Sequence, residues 1–231
     1  MKKSISFLHV AKTGGHYLKT ELLVNLFSKL ENKGIKIEPY TYHFGWAFVD
    51  DETYIISSLR DPVKRTVSHF CHVIDKIRKI PNYDKYNLNV EDLMTWVEDN
   101  KKFLSNYQSK NFLLDSFEDN IYFFQYDSIF NTLVIDKREL LSRLSRVEIL
   151  LKDSQLNSTT IEEVNRKVLK DFDLKLQEPK YIDHPVGHFI NSESENLYQE
   201  LTQGQKDYLY ELSSVDTEIY FNNKLFWNEG K

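Results

Sequence analysis

Apolar positions change their spacing wherever the chain changes element. Ile5, Phe7, Leu8 and Val10 form a run of strand length, and Leu18, Leu22, Leu23, Leu26 and Leu30 then recur at helical spacing, with Gly14 and Gly15 between the two patterns. This predicts strand, glycine turn and helix in immediate succession. The order returns further on, where residues 54–59 form an apolar strand and Val63, Val67, Phe70, Ile74 and Ile77 make the packing stripe of a helix. Asp61 is placed to cap that helix and Pro62 suits its first turn.

The rest of the pattern fills in around these two units. Residues 35–39 read as a second strand, residues 40–46 as an aromatic connection, and a helix carrying Leu93, Trp96 and Val97 begins at Asn89, in a region expected to act as an acceptor-side lid. Strands follow at 121–125 and 147–151, with a helix around 138–144 between them. Thr159 with Glu162, Ser192 with Glu195 and Thr202 with Gln205 each fit a capping box, so three helices are expected to start there. The expected architecture is a three-layer α/β fold, a central mostly parallel sheet of four to five strands flanked by helices, in one domain spanning 1–231.

Composition narrows the function classes. With 41% hydrophobic and 28% charged residues the chain reads as an ordinary globular protein, and a formal net charge of −5 argues against a general nucleic-acid binder. The segment 60–79 is nonetheless locally basic through Lys64, Arg65, Lys76, Arg78 and Lys79, which suits steering of an acidic substrate. Cys71 is the single cysteine, so an internal disulfide is excluded; its place on the apolar side of the helix makes it a packing residue. No apolar run has transmembrane length, and the one after Met1-Lys2-Lys3 is too short for a signal peptide, so a cytosolic location is expected. His184 and His188 are separated by Pro185 and Gly187 and lack an accompanying Cys or carboxylate set, so no metal site is expected.

The glycine turn carries candidate chemistry. At the start of a helix the first backbone N–H groups have no intrahelical partner, and the dipole favours negative charge. Gly14 and Gly15 let a ligand approach the backbone, while Lys12 adds a mobile cation, so a phosphate or sulfate ester fits. The nucleoside-triphosphatase pattern G-x-x-x-x-G-K-[ST] is absent, because the lysine precedes the glycines and no Lys-Ser or Lys-Thr follows.

Lys12-Thr13-Gly14-Gly15 after the first strand, followed by Arg60-Asp61-Pro62 at a later strand end with Ser68 eight residues beyond the arginine, resembles the sulfotransferases that use 3′-phosphoadenosine-5′-phosphosulfate (PAPS). The likeness is to the carbohydrate and heparan-sulfate 2-O-sulfotransferase branch, and it implies a P-loop-type fold. It also implies that Lys12, Thr13, Gly14, Gly15, His16 and Tyr17 hold the 5′-phosphosulfate, that Arg60 and Ser68 hold the 3′-phosphate, and that Lys12 assists the leaving group. The acceptor it implies is a hydroxyl or an amine, most naturally of a carbohydrate. Asn106-Tyr107-Gln108-Ser109-Lys110 is similar to a further family segment expected to touch substrate or nucleotide, with Lys110 where the family has arginine.

His43 is expected to act as the base, since histidine titrates near neutrality and the family carries one shortly before its R-D-P strand. His16 departs from the family pattern, which has threonine there, and is a second candidate for that role. The aromatic residues from Tyr40 to Trp46 suit stacking on a sugar or phenol. Two alternatives retain the pocket: a P-loop kinase acting on a small molecule, and a catalytically silent nucleotide-binding protein.

Overall fold

Among the described residues five parallel strands form one sheet: β1 (Ser4–His9), β2 (Lys36–Ile37), β3 (Thr41–Tyr42), β4 (Thr53–Leu59) and β5 (Ile149–Lys152). The computed structural model describes residues 2–10, 12–14, 18, 24–38, 41–42, 46, 49–77, 85–114, 130–174 and 192–222. The order is β2-β1-β4-β5, and β3 also pairs with β1. Because β4 lies along β1 from Ser4 to Leu8, β2 at Ser4↔Lys36 and β3 at Leu8↔Thr41 must follow one another along the opposite edge. The expected parallel sheet of four to five strands is therefore present. The strand expected over 35–39 is only two residues long as β2, and the one expected over 121–125 lies outside the described residues.

The described helices are α1 (Val24–Glu31), α2 (Pro62–Ile77), α3 (Val90–Asp99), α4 (Lys101–Leu104), α5 (Tyr107–Leu113), α6 (Lys137–Ser145), α7 (Ser158–Asp171), α8 (Ser192–Glu200), α9 (Gln203–Leu212) and α10 (Ser214–Asn222). Strand alternation sorts the sheet side chains onto two faces. Ile5, Phe7, Tyr54, Ile56, Ile149 and Leu151 pack with Leu26 and Leu30 of α1 and Val164 and Val168 of α7. Leu8, Ile55, Leu59 and Leu150 pack instead with Phe112 of α5, Leu140 and Leu144 of α6, and Ile219 and Tyr220 of α10. Every residue of β4 is buried, as expected for a parallel strand covered on both faces.

A third apolar cluster forms around α2, whose Val63, Val67, Phe70 and Ile74 meet Leu93, Trp96 and Val97 of α3, Leu197 of α8 and Leu209 of α9. Fully burying a side chain such as Phe70 contributes about 2–3 kcal/mol. With those three residues seated on α2, α3 is part of the core rather than the expected lid. Cys71 is a free, buried thiol whose pKa burial pushes up to about 11, which leaves it a packing residue.

The helix starts follow their sequence signals with two shifts. Asn89 caps α3 by accepting from Asp92 N, and Thr202 and Gln205 form a reciprocal capping box on α9. For α7 the cap is Asn157, extended at φ −145° and accepting from Thr160 N, not the expected Thr159, which is already helical. Ser192 is likewise the first residue inside α8 rather than its cap.

Sheet order fixes where a ligand crevice opens. The chain leaves β1 toward β2 on one side and leaves β4 toward β5 on the other, so the direction of winding reverses between β1 and β4. In open parallel sheets the crevice lies beyond the carboxyl ends of such a pair. Among the described residues no helix is long and apolar enough to cross a membrane.

Candidate anion-binding site

The loop after β1 is shaped by its backbone. Lys12 and Gly14 both have positive φ, 67° and 88°, and the Gly14 carbonyl accepts from Leu18 N at 3.1 Å. A Cβ on Gly14 would meet only the tip of the Leu156 side chain, which can give way, so it is the left-handed conformation that favours glycine there. The Thr13 hydroxyl is buried between the Val10 carbonyl and the Ser58 hydroxyl, each at 2.8 Å, tying the loop to the end of β4. Any hold of Thr13 on a ligand therefore falls to its backbone N–H. Gly15, His16 and Tyr17, and His43 in the connection before β4, lie outside the described residues.

Lys12 has its pKa lowered, first by burial and then by the neighbouring Arg60 charge. Two cations held close and partly desolvated strengthen the case for an anion between them. Asp75 of α2 acts on Lys12 in the opposite sense, so the ammonium lies within range of the helix that carries Ser68.

The turn after β4 is shaped by side chains. Gln108 of α5 brackets the Arg60 backbone: its Oε1 accepts from Arg60 N at 2.9 Å and its Nε2 donates to Arg60 O at 2.8 Å. Arg60 Nη1 then reaches back to donate to the Lys12 carbonyl at 3.3 Å, and Nε lies 3.6 Å from Asp153 Oδ2. Asp61 caps α2 as expected, accepting from Val63 N and Lys64 N at 2.9 and 3.0 Å, and its other oxygen accepts from the Tyr210 hydroxyl at 2.7 Å. Pro62 is the first residue of α2. Lys12, Thr13 and Arg60, distant in sequence, are thus brought together at the reversal point of the sheet. Ser68 is buried on α2, 7% exposed, and among the described residues it makes no hydrogen bond to Arg60.

Two other sets of side chains hold this turn from behind. Asp216 of α10 accepts from Gln108 N and Ser109 N at 2.9 and 2.7 Å, satisfying orphan amides at the start of α5, and Asn106 Oδ1 returns the favour by accepting from Val215 N at 2.8 Å. Gln108 and Ser109, expected to touch substrate or nucleotide, therefore serve the framework. Lys110 donates to the Lys102 carbonyl at 2.6 Å, and burial lowers its pKa to about 8.

Arg65 is the largest departure from the sequence picture. In the sequence it belongs to the basic segment 60–79, yet it is 1% exposed, lies over the Tyr107 ring at 4.2 Å and contacts His69 Nδ1 at 3.2 Å. Burial lowers its pKa to about 10, so it remains a cation inside the protein and adds little to surface steering. Trp46 is also buried, its indole N–H donating to the Phe112 carbonyl at 2.6 Å, and is not placed to stack on a sugar.

Asp153 and Tyr210 carry no motif, whereas Asp216 and Tyr220 stand in the closing segment 216–221, an acidic residue one turn before a tyrosine, that is similar to the closing helix of the sulfotransferases. Asp153 has one faint signal: it is the first residue beyond β5, at the same sheet edge as Arg60. Fold and site together define an α/β protein with Lys12 and Arg60 brought together at a winding reversal of its sheet. No protein-family model, curated protein or solved structure matches the chain.

Proposed function

We propose that the chain is a sulfotransferase that moves a sulfuryl group from PAPS to a hydroxyl of an acceptor, most naturally a carbohydrate. The observation that carries the reading is the contact between the two grips: Arg60 Nη1 donates to the Lys12 carbonyl across the β1–β4 reversal. A doubly phosphorylated adenosine laid over that contact has one phosphate at the loop amides and Lys12 and the other at Arg60, with Ser68 as its partner.

In the transfer, the acceptor oxygen attacks sulfur in line, the new O–S bond forms as the bond to the 5′-phosphate oxygen breaks, and His43 takes the hydroxyl proton. Adenosine 3′,5′-bisphosphate leaves. Lys12 and the loop N–H groups stabilise the charge growing on its 5′-phosphate. The loop offers no hydroxyl for a magnesium ion from Thr13, whose Oγ1 is engaged by Val10 and Ser58, which disfavours the kinase alternative.

Transfer of labelled sulfate from PAPS to a panel of glycans and phenols tests the reading. Turnover that survives in the wild-type protein and disappears in His43→Ala, with nucleotide binding retained, is the expected result. Binding of the bisphosphate without transfer to any acceptor would favour a silent nucleotide-binding protein, and stabilisation by magnesium-ATP alone would favour a kinase.

A further inference from the structure

The guanidinium of Arg60 is held on two sides before any ligand arrives. Nη1 faces the Lys12 carbonyl, and Nε, a buried atom without a hydrogen-bond partner of its own, faces Asp153 Oδ2 at 3.6 Å. Asp153 is itself fixed, because its Oδ1 accepts from the Tyr220 hydroxyl at 2.7 Å and from Asp61 N at 3.4 Å. Tyr220 sits on α10 one turn beyond Asp216, the residue that caps α5 and so steadies the Gln108 bracket on the Arg60 backbone. One face of α10 therefore reaches Arg60 by two routes, through the backbone by Asp216 and Gln108 and through the side chain by Tyr220 and Asp153.

We propose that Asp153, oriented by Tyr220, is a positioning residue that aims the outer edge of Arg60 at the second anion of a doubly phosphorylated nucleotide. The inference rests on the sulfotransferase reading and adds to it a source of nucleotide selectivity. An arginine left to rotate would give up side-chain entropy on binding, whereas one hydrogen-bonded at Nη1 and drawn toward the Asp153 charge presents its remaining N–H groups already in place. Asp153 does not touch the ligand in this arrangement. It lies on the ε side of the guanidinium, and among the carboxylates that act on the Arg60 charge it has the largest effect, ahead of Asp61 and Glu195. Tyr220 has its pKa raised by burial and by Asp153, so its hydroxyl remains a donor at neutral pH.

Calorimetric titration with adenosine 3′,5′-bisphosphate and with adenosine 5′-phosphate, on the full chain, separates this role from general damage. Asp153→Asn keeps an oxygen for Tyr220 but removes the charge, and is expected to weaken bisphosphate binding roughly tenfold and monophosphate binding less than about twofold. Tyr220→Phe, which loses only the hydroxyl, is expected to weaken bisphosphate binding about threefold with the same selectivity. Equal losses for both nucleotides, no loss, or tighter bisphosphate binding in Asp153→Asn would each overturn the positioning role; the last would show that Asp153 competes with the ligand. Failure of the underlying reading looks different. Wild-type protein that does not prefer the bisphosphate sinks both, whereas a wild-type preference that persists unchanged in the two variants sinks this role alone.

Discussion

The two turns that meet at the sheet reversal are built by opposite means. The turn after β1 is a backbone device, dictated by positive φ at Lys12 and Gly14. The turn after β4 is a side-chain device, bracketed by Gln108, capped by Asp61 and braced by Asp153 and Tyr210. The first can be broken at one atom. The second is distributed over helices far along the chain, so single changes should loosen it by degrees.

The largest effect is expected from Gly14→Val, which imposes a β-branched residue on a left-handed backbone. A loss of about 3 kcal/mol in urea unfolding is expected; a loss below about 1 kcal/mol would mean that the loop adapts and is not set by its backbone. Next is Asp216→Ala, remote from both turns, which leaves the first amides of α5 buried without an acceptor and should cost about 2 kcal/mol. Its consequence for the second turn alone is the sharper point: the Arg60 amide should lose hydrogen-exchange protection in this variant while residues of β1 keep theirs.

Gln108→Ala tests the bracket directly and is expected to cost about 1–2 kcal/mol. Amide exchange at Arg60 that is unchanged would show that Asp61 and Asp153 hold the turn without it. The smallest effect concerns Lys110. Its pKa is near 8 in the folded protein against an ordinary 10.5, so between those values the unfolded chain binds more protons than the folded one and stability should rise with pH. Lys110→Met should flatten that rise between about pH 8 and 10.5 in unfolding midpoints; a slope that is unchanged would place its source elsewhere.

The contrast between the turns also explains what could be read in the sequence. Strand, glycine turn and helix after β1, and the Arg60-Asp61-Pro62 junction, are local patterns, since period, cap and first-turn proline lie within a few residues of each other. The side-chain bracing is not local. Gln108 is 48 residues from Arg60, Asp153 is 92 from Asp61, Ser109 is 107 from Asp216, and Tyr210 is 149 from Asp61. None of these residues is unusual in its own surroundings, so only the folded chain reveals the pairing.

Arg65 shows the same limit from another side. A lysine- and arginine-bearing helix segment reads as a solvated face, but α2 is enclosed by α3, α8, α9 and the Tyr107 ring, and Arg65 points inward. Lys64, by contrast, remains near the surface, 3.6 Å from Glu195. Alternation and helical period identified the apolar stripe of α2 and could not tell which of its charged residues the neighbouring helices would cover.

Calorimetry with adenosine 3′,5′-bisphosphate, on the wild-type chain and on Arg60→Ala, tests most directly whether the two turns act as one grip. Saturable binding by the wild type, weakened by roughly a hundredfold in Arg60→Ala, is the expected result. Absence of heat with the bisphosphate in the wild type, while magnesium-ATP binds, would contradict it.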